Sequence, residues 1–507
     1  MLFNSYEFLF LYLPLTFAAF FLLARVDERL AAAWLALASI GFYGWWNPIY
    51  VPLLLGSIGF NFALGRAIAE AAGPRRRMLL TLAVAGDLLL LGYFKYANFF
   101  LDVANTLGGS HLHFAPIVLP LGISFFTFTQ IAFLVDTYRG EVREYRFVHY
   151  LLFVTYFPHL IAGPVLHHKE MMPQFALAST YRISAENVAI GLSIFTLGLV
   201  KKVLLADSVA LHASPVFAAA AQGATPTLLE AWCGALAYAL QLYFDFSGYS
   251  DMAIGGSRLF GIVLPLNFNS PYQAESIAEF WRRWHMTLSR FLRDYLYIPL
   301  GGNRHGTLRR HLNLMLTMLL GGLWHGAGWT FVVWGGLHGA YLVVNHGWET
   351  LRARLGFAGR SRAWRIAARA LTFLAVLVGW VFFRAESFGA AFRILAGMAG
   401  LNGVVLPEAW LAAWPAQLVP AARGAGLAFG TLDLFAGRSA VGWIAGLLAI
   451  VWFAPNSQAI AAGLLNTAAR SAWRPRLGIG WGLLCGLGAL AAIASMNRVS
   501  EFLYFQF

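Results

Sequence analysis

The sequence predicts an all-α, polytopic integral membrane protein, and two observations lead to that fold class. Of its 507 residues, 59% are hydrophobic and only 12% are charged, whereas a soluble protein carries roughly 25% charged residues. Apolar stretches long enough to cross a hydrocarbon core of about 30 Å recur along the whole chain. So few ionic groups cannot cover a water-facing surface, which excludes an ordinary soluble enzyme, a disordered chain and a disulfide scaffold.

About 13 apolar segments are candidates for crossing the membrane. Several are short, rich in glycine or interrupted by proline, so about 11 true crossings with additional re-entrant pieces fit equally well. The first segment lacks a basic n-region and a clean cleavage site, so we expect a retained helix and not a signal peptide. In chain order the segments are residues 6–24, 30–46, 49–70, 78–100, 117–137, 146–166, 187–206, 228–246, 311–328, 329–347, 368–384, 440–456 and 478–496.

The positions of arginine in the loops predict the orientation. Arginine occurs in alternate loops, at residues 25–29, 75–77 and 139–146, whereas the loops at 46–48 and 102–116 contain neither lysine nor arginine. By the positive-inside rule the arginine loops are cytoplasmic and the N-terminus is periplasmic. The net charge of +13 is therefore a consequence of membrane topology, and we expect no nucleic-acid partner.

The second half of the chain contains two basic segments that are too polar to be plain spans. Residues 255–310 hold eight arginines and three acidic residues, and residues 351–369 hold six arginines and no acidic residue. Both are predicted to be cytoplasmic, so residues 311–347 between them form a membrane hairpin. Residues 401–440 are an insertion rich in alanine, glycine and proline, predicted to be interfacial or loop-like. The domain prediction is one membrane domain, 1–507, with N-terminal helices (1–240), a catalytic core (241–347) and C-terminal helices (348–507).

His325 is the first candidate for chemistry, because an ionisable side chain in an apolar span costs on the order of 2.5–3.5 kcal/mol and is functional by default. It lies in a stretch with four glycines, 321–329, which closes an apolar helix that begins near Leu312 and places Trp324 and Trp329 beside the imidazole. The glycines allow a backbone or a ligand to approach closely. A neutral imidazole suits proton transfer near neutral pH. The alternative is a helix-packing histidine bonded to a carbonyl.

The second candidate is the amphipathic segment 279–289. At helical spacing Arg282, His285 and Ser289 share one face, with tryptophans on the adjacent face. This pattern predicts a basic helix that dips into the membrane from the cytoplasm. It is either an interfacial anchor, or a rim where Arg282 and Arg283 hold an anionic, phosphate-bearing donor while His285 points inward.

The third candidate is the polar stretch that follows the apolar segment 228–246. It contains Asp245, Ser247, Tyr249 and Asp251. The two carboxylates are six positions apart and do not share a helix face. They serve either catalysis or a polar network that fixes a helix break or pairs with a nearby arginine.

Metal, nucleotide and serine chemistry find little support in the sequence. The pairs His111/His113 and His167/His168 have no third ligand at metal spacing, so no metal site is predicted. The two cysteines lie far apart in apolar surroundings and are interpreted as small buried side chains. No phosphate-binding glycine loop or serine elbow is present.

Several motifs resemble those of the membrane-bound O-acyltransferase (MBOAT) family, in its bacterial branch of alginate O-acetylases and teichoic acid D-alanyl transferases. The resemblance spans nearly the whole chain. The motifs are residues 243–255, 280–289, 297–304 and 323–326, with further matches at 2–5, 119–128, 157–164 and 502–507.

This resemblance implies a funnel of about 11–13 transmembrane or re-entrant helices in the bacterial inner membrane. In that fold His325 is the family's near-invariant catalytic histidine and His285 its second histidine. The resemblance also implies acetyl-CoA as a cytoplasmic co-substrate, no bound cofactor, and an acceptor hydroxyl on the other side. That hydroxyl belongs to an exopolysaccharide such as alginate or cellulose, or to a periplasmic SGNH-type acetyltransferase of the polysaccharide machinery. Residues expected to bind the donor or to support the site are Trp324, Arg282, Arg283, Ser289, Asp245, Ser247, Tyr249, Asp251 and Asn303.

The sequence therefore predicts a membrane O-acetyltransferase in which neutral His325 acts as general base on the acceptor hydroxyl. Transfer of D-alanyl or another acyl group to a cell-wall polymer is the alternative within the same class. A transporter or flippase that moves an acylated substrate through an arginine-lined cavity is the alternative from another class.

Overall fold

The prediction of a helical membrane protein is confirmed. The structure is a computed structural model, and it describes residues 1–109, 117–142, 146–161, 163–356, 361–413, 415, 417–424, 426–464, 477–496 and 503. Arg143, His111, His113 and most of the terminal motif at 502–507 lie outside these ranges. The helices of the first half are α1 (Leu13–Ala24), α2 (Glu28–Gly44), α3 (Val51–Glu70), α4 (Gly73–Leu91), α5 (Ala97–Gly108), α6 (Ile123–Arg139), α7 (Phe147–Thr155), α8 (Phe157–Leu160), α9 (His168–Met171), α10 (Ala185–Val200), α11 (Asp207–Ala221) and α12 (Leu228–Leu259).

The second half is also helical, apart from one pair of short strands. The strands β1 (Val404–Pro407) and β2 (Leu427–Gly430) are parallel and lie within the insertion at 401–440, so the expectation of a loop-like insertion was wrong for this part. Backbone pairing between the strands satisfies polar groups that a loop would leave open. The helices are α13 (Ile277–Trp281), α14 (Met286–Leu292), α15 (Gly306–His325), α16 (Trp329–Arg354), α17 (Arg362–Arg384), α18 (Phe388–Met398), α19 (Leu418–Gly424), α20 (Arg438–Phe453), α21 (Ser457–Leu464) and α22 (Ile479–Ala494).

Four helical stretches in the described ranges are long and apolar enough to cross a membrane by themselves. The bent pair α20 and α21, with 47° between its helices, adds a fifth if it counts as one span. The other predicted segments form helices that are shorter, interrupted, more charged or less apolar, so the number of 11–13 crossings stays a prediction. The four stretches are Pro48–Glu70, Gly73–Gly108, Ala185–Ala221 and Arg362–Arg384.

Helix α12 is the central helix and is buried along almost its whole length. It packs against α10 with the two backbones in contact. A Cβ atom added to Gly198 would lie 2.5 Å from the carbonyl oxygen of Gly248, and Gly191 meets Gly255 in the same way. Small residues at these positions allow the close helix packing that stabilises membrane proteins.

Contacts near the two ends of α3 and α6 define two opposite faces of the molecule. At one face, which we call the arginine face, Arg76 donates to the carbonyl of Thr137 (2.9 Å) and Arg139 donates to that of Asp294 (3.2 Å). At the other face, which we call the tryptophan face, the Tyr50 hydroxyl donates to the carbonyl of Val118 (3.0 Å). Trp46 stacks on Tyr50 there.

Candidate active site

The predicted hairpin at residues 311–347 exists as α15 and α16, and His325 is the last residue of α15. The two helices approach closely because Gly322 lies against the backbone of Phe331 and Gly335. A Cβ atom at Gly322 would collide with the Phe331 carbonyl oxygen, and one at Gly326 would collide with the Phe331 ring. The glycines therefore allow α16 to pack along the end of α15 that carries His325.

The imidazole of His325 is enclosed by aromatic rings and is 6% exposed. Its ring centroid lies 4.9 Å from that of Trp324, 5.1 Å from Trp334 and 5.3 Å from Phe383. The expectation that Trp329 flanks His325 was wrong, because Trp329 is exposed and contacts Phe99 instead. Helix α16 begins at Trp329, so the residue that faces back toward His325 is Trp334, one and a half turns later.

His285 is not part of a continuous helix, so the predicted amphipathic helix over 279–289 is wrong. Helix α13 ends at Trp281 and α14 begins at Met286, and His285 between them has φ 41° and ψ 53°, in the left-handed region. A residue other than glycine in this region is uncommon and often marks a functional site. The break turns His285 fully inward, at 0% exposure, while Arg282 is exposed.

A segment distant in sequence causes this break. The amide of Asn269 donates to the carbonyl of Arg283 (2.9 Å), and the amide of Met286 donates to the carbonyl of Asn267 (2.9 Å). The Asn267 side-chain oxygen also bonds His285 Nδ1 (3.1 Å) and accepts from the Thr287 hydroxyl (2.9 Å). These hydrogen bonds replace those that a continuous helix would form, so the backbone polar groups at the break still have partners.

The two histidines are neighbours in the interior. The ring centroids of His285 and His325 lie 6.4 Å apart, and His285 packs edge-on against Phe246 at 4.7 Å. His285 Nε2 is buried and has no hydrogen-bond partner among the described residues. An imidazole nitrogen in this situation can serve a ligand that enters between the two rings.

One cavity is lined by His325, and a second is lined by Met286 and Thr287, which follow His285 in the chain. The first, which we call the His325 cavity, has a volume of about 230 Å³ and is lined by Trp46, Lys95, Ser124, Trp324 and His325, among others. Because Trp46 belongs to the tryptophan face, this cavity lies toward that face. The second, which we call the arginine pocket, has a volume of about 370 Å³ and lies toward the arginine face. It is lined by Leu266, Trp281, Arg282, Met286, Thr287, Ser289, Arg290 and Arg293.

The structure separates the predicted arginines of segment 279–289. Arg282 lines the arginine pocket and has no carboxylate partner among the described residues, and Ser289 lines the same pocket. Arg283 lies outside the pocket, since it pairs with Glu279 (2.7 Å) and donates to the carbonyl of Asn269. Arg282 is therefore the pocket arginine that is available to an anionic ligand.

The two further arginines of the pocket are held by carboxylates. Arg290 forms two bonds to Glu170 (2.6 and 2.7 Å), and Arg293 pairs with Asp294 (2.7 Å). Beside them, burial lowers the pKa of His167, and the charge of Arg290 lowers it further. This wall of the pocket thus has a fixed geometry.

The polar stretch 245–251 lies on one continuous helix, α12, and not at a helix break. The expectation of arginine partners was also wrong, because both carboxylates bond lysines. Asp245 pairs with Lys202 (2.6 Å) and Asp251 with Lys201 (2.7 Å). Lysines suit these positions because α10 continues into a π-helical turn at Lys201–Ala206 that packs against α12. Asp245 and Asp251 therefore belong to a buried network of ion pairs with lysines.

The remaining predicted residues also lie apart from the two cavities. Tyr249 is buried and stacks on Phe3 at 4.7 Å, and Ser247 is buried on α12. Asn303 is exposed in the turn before α15. Because α15 has 20 residues, it is about 30 Å long, and Asn303 lies at the opposite end from His325.

Lys95 is one of the site residues that the sequence analysis missed, as are Asn267, Thr287 and Trp334. It lines the His325 cavity and donates to the Ser124 hydroxyl (3.2 Å). The signal was present, since a lysine inside the apolar segment 78–100 meets the criterion that singled out His325.

No group of three or more His, Cys, Asp or Glu side chains in the described ranges is arranged to hold a metal ion. His168 bonds Asp136 (2.9 Å) and His167 bonds Tyr295 (3.0 Å). Both cysteines, Cys233 and Cys485, are free thiols.

Comparison with known proteins matches residues 88–387 to the model of the MBOAT, membrane-bound O-acyltransferase family. The chain is 44% identical over 434 residues to the peptidoglycan O-acetyltransferase of Helicobacter pylori, which covers 80% of this chain and 81% of that protein. It is 45% identical over 406 residues to a probable alginate O-acetylase of Pseudomonas aeruginosa, covering 78% and 75%. Similarity to the teichoic acid D-alanyltransferase of Streptococcus thermophilus is lower, at 30% over 242 residues, covering 45% and 57%.

Proposed function

This chain belongs to the membrane-bound O-acyltransferase family, and we propose that it transfers an acetyl group from cytoplasmic acetyl-CoA to a hydroxyl group on the periplasmic side of the bacterial inner membrane. The observation that carries the proposal is the buried pair His285 and His325, with a cavity toward each face of the molecule. A donor and an acceptor can then approach one reaction centre from opposite sides.

The arginine pocket is proposed to receive the donor. Guanidinium groups form strong, charge-assisted hydrogen bonds with phosphates, and Arg282 is exposed in this pocket. Thr287 lines the pocket and bonds the same Asn267 oxygen as His285 does. A thioester arm that extends inward past Thr287 would therefore arrive beside His285. The positive-inside rule supports the cytoplasmic side for this pocket, because arginine loops surround it.

The His325 cavity is proposed to receive the acceptor. Neutral His325 takes the proton of the acceptor hydroxyl while the oxygen attacks the acetyl carbonyl carbon. The carbon–sulfur bond breaks, and the histidine returns the proton to the departing thiolate, so the products are an acetyl ester and free CoA. His285 lies close enough to orient the donor or to stabilise the oxyanion.

The relatives support acetyl over D-alanyl as the group that is transferred. The peptidoglycan O-acetyltransferase and the probable alginate O-acetylase are 44% and 45% identical to this chain, whereas the D-alanyltransferase is 30% identical over a shorter match. We propose a polysaccharide hydroxyl, or a serine of a periplasmic SGNH-type acetyltransferase, as the acceptor. A cavity of about 230 Å³ holds one side chain or one sugar ring.

Acetyl transfer by purified protein in vesicles tests the proposal. The wild type should cleave labelled acetyl-CoA and pass the label to an acceptor, and His325→Ala should lower the rate by roughly 10²–10⁴-fold, the usual contribution of a general base. His159→Gln is a matched control, because His159 is also buried but bonds only the carbonyl of Phe153 (2.9 Å) among the described residues. Full activity of His325→Ala would contradict the mechanism, and an intact thioester with wild type would point to transport.

A further inference from the structure

We propose that Lys95 is a positioning residue for His325. Together with Tyr96 it caps the carboxyl end of α15 and so fixes the imidazole against the His325 cavity. The consequence for catalysis rests on the function proposed above.

Helix α15 ends in the interior of the protein, where its last carbonyl groups need donors. The last four carbonyls of a helix have no partner within the helix. After His325 the amide of Gly326 reaches back to the carbonyl of Gly322 (3.4 Å), and the amide of Gly328 bonds the carbonyl of Gly326 (2.9 Å). The carbonyls of the three residues that end the helix, Leu323 to His325, are therefore served from elsewhere.

Lys95 and Tyr96 supply these donors. The Lys95 ammonium contacts the carbonyl of Trp324, lies 3.3 Å from that of His325 and donates to the Ser124 hydroxyl at 3.2 Å. The Tyr96 hydroxyl donates to the carbonyl of Leu323 (2.8 Å). A positive charge at this end also interacts favourably with the helix dipole. The three carbonyls thus have partners from one dipeptide.

The backbone around Lys95 is built for this contact. Helices α4 and α5 are joined by a π-helical turn, Gly92–Tyr96. Such turns are rare overall, and those that occur are frequently found at functional sites. Neighbouring side chains of a regular α-helix point about 100° apart, yet here Lys95 and Tyr96 both reach the end of α15. The ammonium also lies 5.7 Å from the centroid of the Trp324 ring.

The hydrogen bonds indicate positioning and not substrate binding. An ammonium group has three donors, and Lys95 has three acceptors within the protein. It lines the His325 cavity without a donor to spare for the acceptor substrate. Its effect on the reaction must then pass through Trp324 and His325. Even a displacement of about 1 Å at a reacting group can lower the rate by about 10²-fold.

Kinetics of Lys95 variants test this role. We expect Lys95→Met to lower kcat for acetyl transfer by about 10- to 100-fold and to leave KM for acetyl-CoA within about twofold, because the arginine pocket is unchanged. Tyr96→Phe should lower kcat less, since it removes one bond. Lys169→Met is the control for loss of a lysine, because that side chain is 61% exposed and far along the chain from the cap.

Chemical rescue separates positioning from general destabilisation. Propylammonium should restore several-fold activity to Lys95→Ala, whereas propanol should not, and neither should rescue His325→Ala. Unchanged kcat in both Lys95→Met and Tyr96→Phe would overturn the inference. A second result would also overturn the inference: kcat is lower, no amine restores it, and melting in detergent shows that the variant is unfolded. Lys95 would then contribute to stability alone.

Amide hydrogen exchange provides a readout that needs no activity. We expect the peptide over residues 321–328 to exchange faster in Lys95→Met than in the wild type, and the peptide over 277–292 to exchange at the same rate. If the wild type transfers no acetyl group, the proposed function is wrong. Amide hydrogen exchange then still tests whether Lys95 caps the end of α15. If exchange at residues 321–328 is unchanged in Lys95→Met, Lys95 does not cap α15. If exchange is faster but kcat of an active enzyme is unchanged, Lys95 does not position His325 for catalysis.

Discussion

Asn267 bonds His285 Nδ1 through its side-chain oxygen, at 3.1 Å, across 18 residues of sequence. The same oxygen accepts from Thr287, and the Asn267 amide group donates to Ser250 Oγ at 3.1 Å. One buried side chain thus connects α12, the left-handed His285 and the wall of the arginine pocket.

Asn267→Leu should reduce both activity and stability. The change leaves His285 Nδ1 and the Thr287 hydroxyl without their partner, and an unsatisfied buried polar group costs about 1–3 kcal/mol. We expect kcat for acetyl transfer to fall about tenfold or more, which corresponds to about 1.4 kcal/mol, with a lower melting temperature in detergent. Asn267→Asp keeps the acceptor oxygen, so its kcat and melting temperature should fall less than those of Asn267→Leu. Equal kcat values for the leucine variant and the wild type would show that Asn267 does not orient His285.

Arg282→Gln should weaken donor binding. Arg282 lines the arginine pocket and has no carboxylate partner among the described residues, so its loss removes a charge-assisted contact worth about 1.5–3 kcal/mol. We expect KM for acetyl-CoA to rise about tenfold or more, with kcat nearly unchanged.

Arg283→Gln is the matched control for that experiment. Arg283 is the next residue in the chain, but it pairs with Glu279 outside the pocket. Its replacement should change KM by less than about twofold, because this partly exposed side chain does not line the arginine pocket. Equal effects of the two variants would show that overall charge, and not the pocket, attracts the donor.

Gly322→Ala should destabilise the hairpin of α15 and α16. The added methyl group would collide with the Phe331 carbonyl oxygen, and overpacking of this kind costs about 1–3 kcal/mol. Gly336→Ala should be tolerated, since its Cβ would lie 3.4 Å from Leu319 Cδ2. Thermal unfolding in detergent compares the two. The prediction is wrong if both alanine variants melt at the wild-type temperature.

Lys202→Met should be among the most destabilising single changes. Lys202 is 1% exposed and lies 2.6 Å from Asp245 and 2.8 Å from Asp207. Removing one member of a buried ion pair costs about 3–5 kcal/mol, because the other charge stays buried.

A double variant checks the cause of this loss. Lys202→Met with Asp245→Asn should recover part of the lost stability, since the carboxylate of the closest pair is gone. Purification yield and melting temperature report the result. A double variant that is less stable than Lys202→Met would contradict the explanation by an uncompensated charge.

Features that depend on composition and local spacing can be predicted from the amino-acid sequence. Few charges among many apolar residues indicated a membrane protein, and the glycines at 321–328 indicated where two helix backbones meet. The lone imidazole His325 stood out because an ionisable group in an apolar span is costly. These signals are local, so they can be recognised without knowing which segments pack together.

Which distant groups meet depends on tertiary packing. The helix over 279–289 is broken because residues 267–269 offer its backbone other hydrogen bonds, which no helical periodicity reveals. Asp245 and Asp251 pair with lysines of the π-helical turn that follows α10. Trp334, and not Trp329, lies beside His325, because helix packing sets these neighbours. Lys95 acquired its place in the same way: the end of α15 left three carbonyls without donors, and the fold brought an ammonium and a phenol from another helix to meet them.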